Sequence, residues 1–536
     1  MKSFKGILSS ILAMSLLIGG SSEAFATSST VVDDQPVISI GGSNTFVLKH
    51  DGSVWGFGSD GNSLGTGGSI YSVPTIIMRG VKAVETGGGN TYFIKNDNSL
   101  WACGVNDLGQ VGNGMKSNVK ENVSLSDIMP AEYSYSQSIP VKIMDNVKSV
   151  SAGGDCAMAI KTDGSLWAWG SNEYGQLGNA GKSNGSKDDV PCQTIPAKIM
   201  DHVKYVDIIS AYQDTVAFAI KEDGTLWGWG RSDYGLMGKD DSTDTEMNWG
   251  FPMQLAQAKY KSTVNEGPIA VMPGSDEDKA IKEYDKKTKE ENNNRNKQAT
   301  PIKFLDQVSQ FKCDGYTMMA LRTDNSMWAW GSNMYLNISN GSKKVLTPVK
   351  FMEDVKKFYL DYRVSVIKTD NSLWQWSNNN TEKIGLPVEG GTYKMIPVKN
   401  MDHIQSIFNH DMVLKENGSI WAWGVVSHGR IGNGDKYTDI ITTNVEASGW
   451  FPARSYKTKY QASPVKIIDD VVRAYSDGES TFVVKKDGSV WAWGSNGDDG
   501  YRLGNGGKRD GRTYDIGGGY VSSAETFYQT TPMKIM

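Results

Sequence analysis

The stretch DGSLWAWGSNEYGQLGN, residues 163–179, sets two tryptophans two positions apart, between a turn dipeptide and a glycine-rich tail. It recurs along the chain: DGSVWGFGSDGNSLG from Asp51, DNSLWACGVNDLGQVGNG from Asp97, DGTLWGWGRSDYGLMG from Asp223 and DNSMWAWGSNMYLN from Asp324. DNSLWQWSNNN from Asp370, NGSIWAWGVVSHGRIGNG from Asn417 and DGSVWAWGSNGDDGYRLGNG from Asp487 complete eight copies. Trp55 to Trp101, Trp328 to Trp374 and Trp374 to Trp421 are 46, 46 and 47 residues apart. A fixed period of this size marks a repeat architecture, and the wider gaps are insertions.

Around the motif, residues 140–179 contain four short runs of strand-forming residues, VKIM, VKSVSA, CAMAIK and SLWAWG, separated by DN, GGD and DG. The last of these is a strong hairpin signal. The side-chain period of two puts Trp167 and Trp169 on one face of their strand and Leu166, Ala168 and Gly170 on the other. Both faces are apolar, so each four-stranded sheet is expected to be sandwiched between two neighbours, the small face receiving the indoles of the next sheet. Radial sheets of this kind form a propeller. Fourteen of the 16 tryptophans occupy the paired positions. Burying them would contribute on the order of 70 kcal/mol before conformational entropy is counted, so scaffolding is a sufficient account of the motif. The first copy begins at VISIGGSNTFVLK, residues 37–49, without a preceding P-x-K-I-M run, whereas the chain finishes in PMKIM. The expectation is an all-β ring of eight units, with seven left open because the sixth copy is eroded. The N- and C-terminal strands would pair to close it.

The 536 residues carry a net charge of −5 with 21% charged residues, which is globular and unlike a basic nucleic-acid footprint. Glycine, at 60 residues, exceeds the usual ~7%, as many tight turns require. Residues 1–26 read as an export signal: Lys2 and Lys5, the apolar run GILSSILAMSLLIGG, then AFA at 24–26 as a small-x-small cleavage site. No later stretch is apolar enough to span a bilayer, so release or loose cell-surface association is expected. Residues 27–36 read as a linker and 37–536 as the propeller, with a long insertion over 239–299. Within it, residues 275–298 are highly charged and nearly free of apolar side chains, which suits disorder or a solvated helix.

The pattern Gly-Gly-x-x-[Ser/Thr], then Asp-Gly-x-[Leu/Val]-Trp-x-Trp-Gly-x-Asn-x-x-Gly-Gln-Leu-Gly, resembles the regulator of chromosome condensation repeat, which also occurs in alpha-tubulin-suppressor-like bacterial proteins. The resemblance covers nearly all of residues 37–536 and implies a β-propeller, usually of seven blades. It also raises the role of the founding eukaryotic relative, nucleotide exchange on a nuclear GTPase together with chromatin binding. No segment here matches that protein's GTPase-contacting wedge, so no functional residues carry over.

Catalytic motifs are missing or fail on spacing. GKS at 181–183 would need Gly at 176 to complete a phosphate loop, and Gln176 stands there. There is no H-E-x-x-H, no G-x-S-x-G and no cysteine pair at zinc spacing. Asp51, Asp163, Asp223 and Asp487 sit in hairpin turns, where turn chemistry explains them. Cys103, Cys156, Cys192 and Cys313 do not make a disulfide framework; Cys103 and Cys156 read as core filling, with a single bridge left open. His202 and His403 share one repeat position, which favours structure over metal ligation. A quinone-binding dehydrogenase propeller would show an adjacent-cysteine pair that this chain lacks.

Insertions fall between the Gly-Gln-Leu-Gly tail and the next P-x-K run, from Met115, Lys239, Asp435 and Gly507. Equivalent positions in a ring share one face, so long loops gather on one rim. Two of them share wording, NWGFPMQ at 248–254 and GWFPARS at 449–455. Trp249, Phe251, Trp450 and Phe451 have no part in the repeat and are the candidate binding residues, anchoring a partner or tucking beneath their own loops. The expected function is a secreted or cell-surface, non-catalytic, monomeric binding scaffold for a protein or envelope-glycan partner, with no metal, cofactor or nucleic acid. The alternatives are an exchange-factor-like GTPase regulator and an enzyme with a central-channel site.

Overall fold

The structure, a computed structural model, describes residues 29–30, 35–115, 136–187, 190–211, 214–232, 234–238, 297–332, 344–361, 363–377, 396–409, 411–445, 454–496, 501–506 and 528–536. Eight antiparallel sheets follow one another along the chain as blades 1 to 8, spanning residues 37–78, 81–144, 147–200, 203–305, 308–352, 355–401, 404–468 and 471–534. The eroded sixth copy is a complete blade, so the count is eight. One four-residue helical turn, Gly61–Leu64, is the only helix among the described residues.

Blade 3 shows how the repeat writes a sheet. Its strands Val147–Gly153, Cys156–Lys161, Leu166–Ser171 and Val190–Met200 pair in that order. The second and third strands meet at Ile160 and Leu166 across the turn, where Gly164 adopts φ +79°, a left-handed value open to glycine. Asp163 Oδ1 accepts from Ser165 N at 2.9 Å and Ser165 Oγ at 2.6 Å, an Asx turn that fixes the hairpin register.

The core lies between the sheets. Among the described residues, eight buried apolar clusters occur, and each joins side chains of two successive blades. Between blades 3 and 4, Leu166, Ala168 and Leu177 meet Trp229, Val203 and Val206. Ala168 and Leu166 therefore face the indole of the following blade, as the alternation of side chains requires. Trp169, Trp229, Trp330, Trp423 and Trp493, the second indoles of their pairs, are fully buried.

Two expectations need correction. The P-x-K run closes the preceding sheet instead of opening its own unit: Pro140 lies in Ser136–Met144, which pairs with Leu100–Val105 of blade 2. The chain consequently ends on an ordinary fourth strand, and the first blade lacks nothing. Val37–Ile40 pairs with Asn44–Leu48, and Tyr528–Lys534 pairs with Val490–Ser495 of its own blade. The terminal strands do not pair with each other. Closure is by side-chain packing, with Ile38, Val47 and Phe57 of blade 1 against Phe482, Val484 and Leu503 of blade 8. Hydrogen bonds cross the same seam, Gly506 N to Ser72 O at 2.8 Å and Thr45 Oγ1 to Arg502 O at 3.2 Å.

Two segments differ from their sequence reading. Ser29–Thr30, placed in the linker, forms a short strand against the first strand of blade 2. Lys297 and Gln298, within the stretch read as disordered or helical, begin the fourth strand of blade 4, Lys297–Leu305. No helix among the described residues is long and apolar enough to cross a membrane.

Candidate functional site

The third strand of each blade runs from the Asp-Gly turn to the glycine tail, so the ring has a turn rim and a tail rim. On the turn rim the first indole of every pair is held by one device in all eight copies. Trp167 Nε1 donates to Ser165 Oγ at 2.9 Å, and Lys161 Nζ lies 4.6 Å from the ring centroid. Lys49 and Trp55, Lys95 and Trp101, Lys221 and Trp227, Arg322 and Trp328, Lys368 and Trp374, Lys415 and Trp421, and Lys485 and Trp491 repeat the cation–π contact. These indoles are only partly buried. The turn acids serve structure: hydrogen bonds from Ser165 hold the Asp163 carboxyl below its usual range, and those from Ser53, Thr225 and Ser489 do the same for Asp51, Asp223 and Asp487. His202 and His403, at φ +61° and +62°, occupy the left-handed link between blades that Asn146 and Asp470 fill elsewhere.

The glycine tail is the socket for the second indole of the next blade. Trp169 Nε1 donates to Gln110 O and Trp229 Nε1 to Gln176 O, each at 2.8 Å. A Cβ on Gly112 would lie 2.8 Å from Trp169 Nε1, and one on Gly178 would meet Trp229 Nε1 at the same distance. Asn172 and Gln176 brace the loop through bonds to Leu177 N and Tyr174 N. The GKS stretch belongs to this bracing as well, since Lys182 O accepts from Asn172 and Asn179.

The tail rim carries the exposed apolar surface. Eight large apolar side chains are exposed among the described residues, and seven lie towards this rim. Ile70, Val73, Met115, Ile139 and Ile195 span blades 1 to 3, with Ile139 62% exposed. Tyr437 and Ile440 belong to blade 7, where the insertion forms a hairpin of Asp439–Val445 with Arg454–Ile468. Corresponding positions in blades 4, 5 and 8 hold Thr300, Thr347 and Thr531. Trp249, Phe251, Trp450 and Phe451 lie outside the described residues; in sequence, Trp450 and Phe451 fall between the two strands of that hairpin.

A second constellation, which sequence reasoning missed, occupies the axis where the first strands converge. Glu85 of blade 2, Ser151 of blade 3, Asp207 of blade 4 and Lys312 of blade 5 are all buried there. Asp207 Oδ1 accepts from Ile208 N at 3.1 Å and from Ser151 Oγ at 3.3 Å. Burial pushes the Asp207 carboxyl up to about 6, with the Lys312 ammonium pulling the other way. Burial lowers Lys312, and Asp207 opposes that shift. Glu85 is driven well above the carboxylate range by burial and by repulsion from Asp207. With Glu85 0%, Asp207 3% and Lys312 7% exposed, the groups are sealed from solvent; Asp207 and Lys312 counter each other's burial, whereas neither Glu85 oxygen has a hydrogen-bond partner among the described residues. No set of three or more His, Cys, Asp or Glu among the described residues could hold a metal ion. The four cysteines are free and buried.

Comparison with known proteins agrees with the repeat pattern. The family model for the regulator of chromosome condensation (RCC1) repeat matches residues 147–176 and, in a second form, residues 163–217, the hairpin and socket of blade 3 running into blade 4. The regulator of chromosome condensation of Xenopus laevis is 26% identical over 225 residues, 38% of this chain and 52% of that protein. The Dictyostelium discoideum bifunctional serine/threonine-protein kinase/NEDD4-like E3 ubiquitin-protein ligase is 32% identical over 129 residues, 24% of this chain and 6% of that one. The chain thus spans at most about half the length of these relatives. Among solved structures, Prp20p of Saccharomyces cerevisiae is 14% identical with a TM-score of 0.43, covering 95% of this chain and 87% of that one. Human WBSCR16 is 16% identical with a TM-score of 0.42, covering 70% and 84%. Residues 147–217 thus match the regulator of chromosome condensation repeat, within a ring of eight blades that repeats the same turn-rim clamps and tail-rim sockets.

Proposed function

We propose that this chain is an exported, non-catalytic scaffold that binds a protein partner on the tail rim of its propeller, at the arc running from blade 7 through blade 8 to blade 3. The observation that carries the reading is the asymmetric apolar surface. Val73, Ile139 and Ile195, each before the proline of a fourth strand, stand exposed beside Ile70 and Met115, whereas Thr300, Thr347 and Thr531 fill the pre-proline position in blades 4, 5 and 8. Exposed apolar side chains gathered in one region and rimmed by polar residues mark interaction sites. The insertions from Met115, Asp435 and Gly507 arise on the same arc, and loops borne on a rigid frame are where recognition concentrates. The AFA site after an apolar run supports export.

The test is a double variant, Ile139→Arg with Ile195→Arg, compared with wild type for capture of proteins from the exported fraction of the producing cell. The expected outcome is loss of the captured partner at an unchanged melting temperature, because both side chains face solvent. Undiminished capture by the variant would move recognition elsewhere on the ring. Accelerated nucleotide release from a GTPase, together with retention of the chain inside the cell, would replace the scaffold reading with the exchange-factor one.

A further inference from the structure

The outer strand of a blade has one unpaired edge, and such an edge is a template for pairing with another chain unless proline or lysine blunts it. The fourth strands are guarded in this way. Each of the eight carries a proline, from Pro74 in blade 1 to Pro532 in blade 8, and a lysine follows two residues later in all but blade 1, as Lys142 follows Pro140. Two blades add a further strand outside the fourth. In blade 3 it is Gly185–Lys187, only three residues and ending on a lysine. In blade 7 it is Asp439–Val445, seven residues reading DIITTNV, with five β-branched residues and no proline, lysine or arginine. Among the described residues this is the one long outer edge left unguarded.

The hairpin that bears it also stands apart from its blade. Its second strand, Arg454–Ile468, has 15 residues, against 6 to 11 in the fourth strands of the other blades. The third strand ends at Val425 opposite Tyr460, so beyond that point the sheet has two strands, which alone are marginally stable in water. Lys459 O accepts from Val426 N at 2.9 Å, on the side of the third strand. By the alternation of an antiparallel ladder, Tyr460 and every second residue before it turn to the added strand instead. Their partners there, Asp439, Ile441, Thr443 and Val445, therefore bond inwards. Ile440, Thr442 and Asn444 present their backbone N–H and C=O groups to the open edge.

This strand is its own complement. We propose that the open edge of Asp439–Val445 binds the same strand of a second copy of this chain, antiparallel about a two-fold axis at Thr442, joining two rings as a closed dimer in place of the monomer expected from the sequence. Thr442 then meets Thr442, and Ile440 meets Asn444 on either side of it, so every outward backbone group finds a partner. The strand's one charge, Asp439, falls opposite Val445. Beyond Val445 lies Arg454, on the same face and two strand spacings, roughly 10 Å, from the copy's Asp439. Like charges stay further apart. Lys457 pairs with Thr442, which sets the two copies of Lys457 three spacings apart, roughly 14 Å and beyond the screening length of about 8 Å at physiological salt. Each added strand has a single free edge, so an isologous contact of this kind stops at two chains, and each hairpin gains the further strands that it lacks.

The experiment is sedimentation velocity on the purified full chain. From about 1 to 100 µM, the range in which a small interface assembles, the weight-average mass should rise towards twice that of one chain. Thr442→Pro removes the outward N–H at the two-fold while sparing the inward ladder, and should stay at one chain throughout with an unchanged far-UV circular dichroism spectrum. Thr442→Lys keeps that N–H but sets two ammonium groups against each other, so it should weaken the dimer about fivefold or more at low salt and recover at high salt. It keeps the test open should the proline variant misfold. Ile139→Arg with Ile195→Arg should dimerise as wild type does, which separates this edge from the partner-binding arc. The proposal is overturned by a wild type that remains one chain to the top of the range, by assemblies larger than two, by a dimer undiminished in either folded Thr442 variant, or by one lost in the double arginine variant.

Discussion

The two tryptophans of a pair should differ sharply in what they contribute, and blade 4 offers the cleanest comparison. Trp229 is 0% exposed and donates to Gln176 O at 2.8 Å; Trp227, two residues earlier, is partly exposed and donates to Thr225 Oγ1. Removing a fully buried indole forfeits ~200 Å² of burial at ~25 cal/mol/Å², about 5 kcal/mol, within the range of roughly 3–5 kcal/mol seen for large aromatic truncations. It also leaves the Gln176 carbonyl without its donor, which adds about 1 kcal/mol. Trp229→Ala should therefore cost about 4–6 kcal/mol. Trp227→Ala loses about half as much area and a cation–π contact with Lys221 at 5.5 Å worth about 0.5–1 kcal/mol, so roughly 2–3 kcal/mol. Urea unfolding followed by far-UV circular dichroism measures both, read from the midpoint together with the slope, since a ring of eight blades need not unfold in one step. Equal losses, or a greater loss for Trp227→Ala, would refute the division into inner mortar and outer clamp.

Gly112→Ala and Gly181→Ala separate backbone strain from socket closure: both glycines have left-handed φ, +82° and +74°, but a Cβ meets Trp169 Nε1 at 2.8 Å only in the first. Both should lose about 1 kcal/mol, with Gly112→Ala losing about 1–3 kcal/mol more from overpacking, as chemical denaturation will show. The folded-state pKa of Asp207, about 6, exceeds the unfolded value of 3.8, so the folded chain binds the extra proton and this group's contribution to stability falls as pH rises from 3.8 to about 6. Asp207→Asn should remove about 3 kcal/mol of that decline, seen when unfolding free energies at pH 4 and pH 7 are compared for wild type and variant. The four cysteines are free and buried, so a thiol reagent should modify almost none in the native protein and all four in guanidinium without reductant.

Much of the ring was legible because the repeat unit is a complete packing instruction. The turn at Asp163-Gly164, the alternation through Leu166, Trp167, Ala168 and Trp169, and the small face opposite the indoles together imply strands, their register and a neighbour on each side. The boundary between units was not legible. The fourth strand ends at Met200, and the next blade begins at Val203 across a two-residue link with His202 at φ +61°. A link that short between two strand-forming runs has the same local chemistry as a hairpin, so turn signals alone cannot show that the strands on either side belong to different sheets. From that ambiguity came both the misplaced P-x-K strand and the expected pairing of the termini. The axial cluster escaped for the opposite reason. A search for repetition keeps what the copies share, whereas Ser39, Glu85, Ser151, Asp207 and Lys312 hold one strand position with different residues. Reading that single position across the copies would have flagged it, because ring geometry brings one residue per blade to the axis.

The same contrast argues for where recognition evolves on this frame. An indole that enters the preceding blade at 2.8 Å from a tail carbonyl fixes the tail through its glycines, because a Cβ there would strike the ring. The turn rim is equally constrained, with an Asx turn, a hydroxyl and a cation locked onto each outer indole. Neither end of the third strand can then vary without loosening an interface between blades. The chain just beyond the tail braces the socket only through backbone carbonyls, such as those of Met115, Lys182 and Lys436, which no particular side chain is needed to supply, and the fourth strand that follows carries outer residues that face solvent. Length and composition can change there at little cost to stability, since loop closure grows only logarithmically with length. On the proposed scaffold reading, selection for binding would act on the tail rim, where Ile139 and Ile195 stand exposed while Thr300, Thr347 and Thr531 hold the same position in other copies.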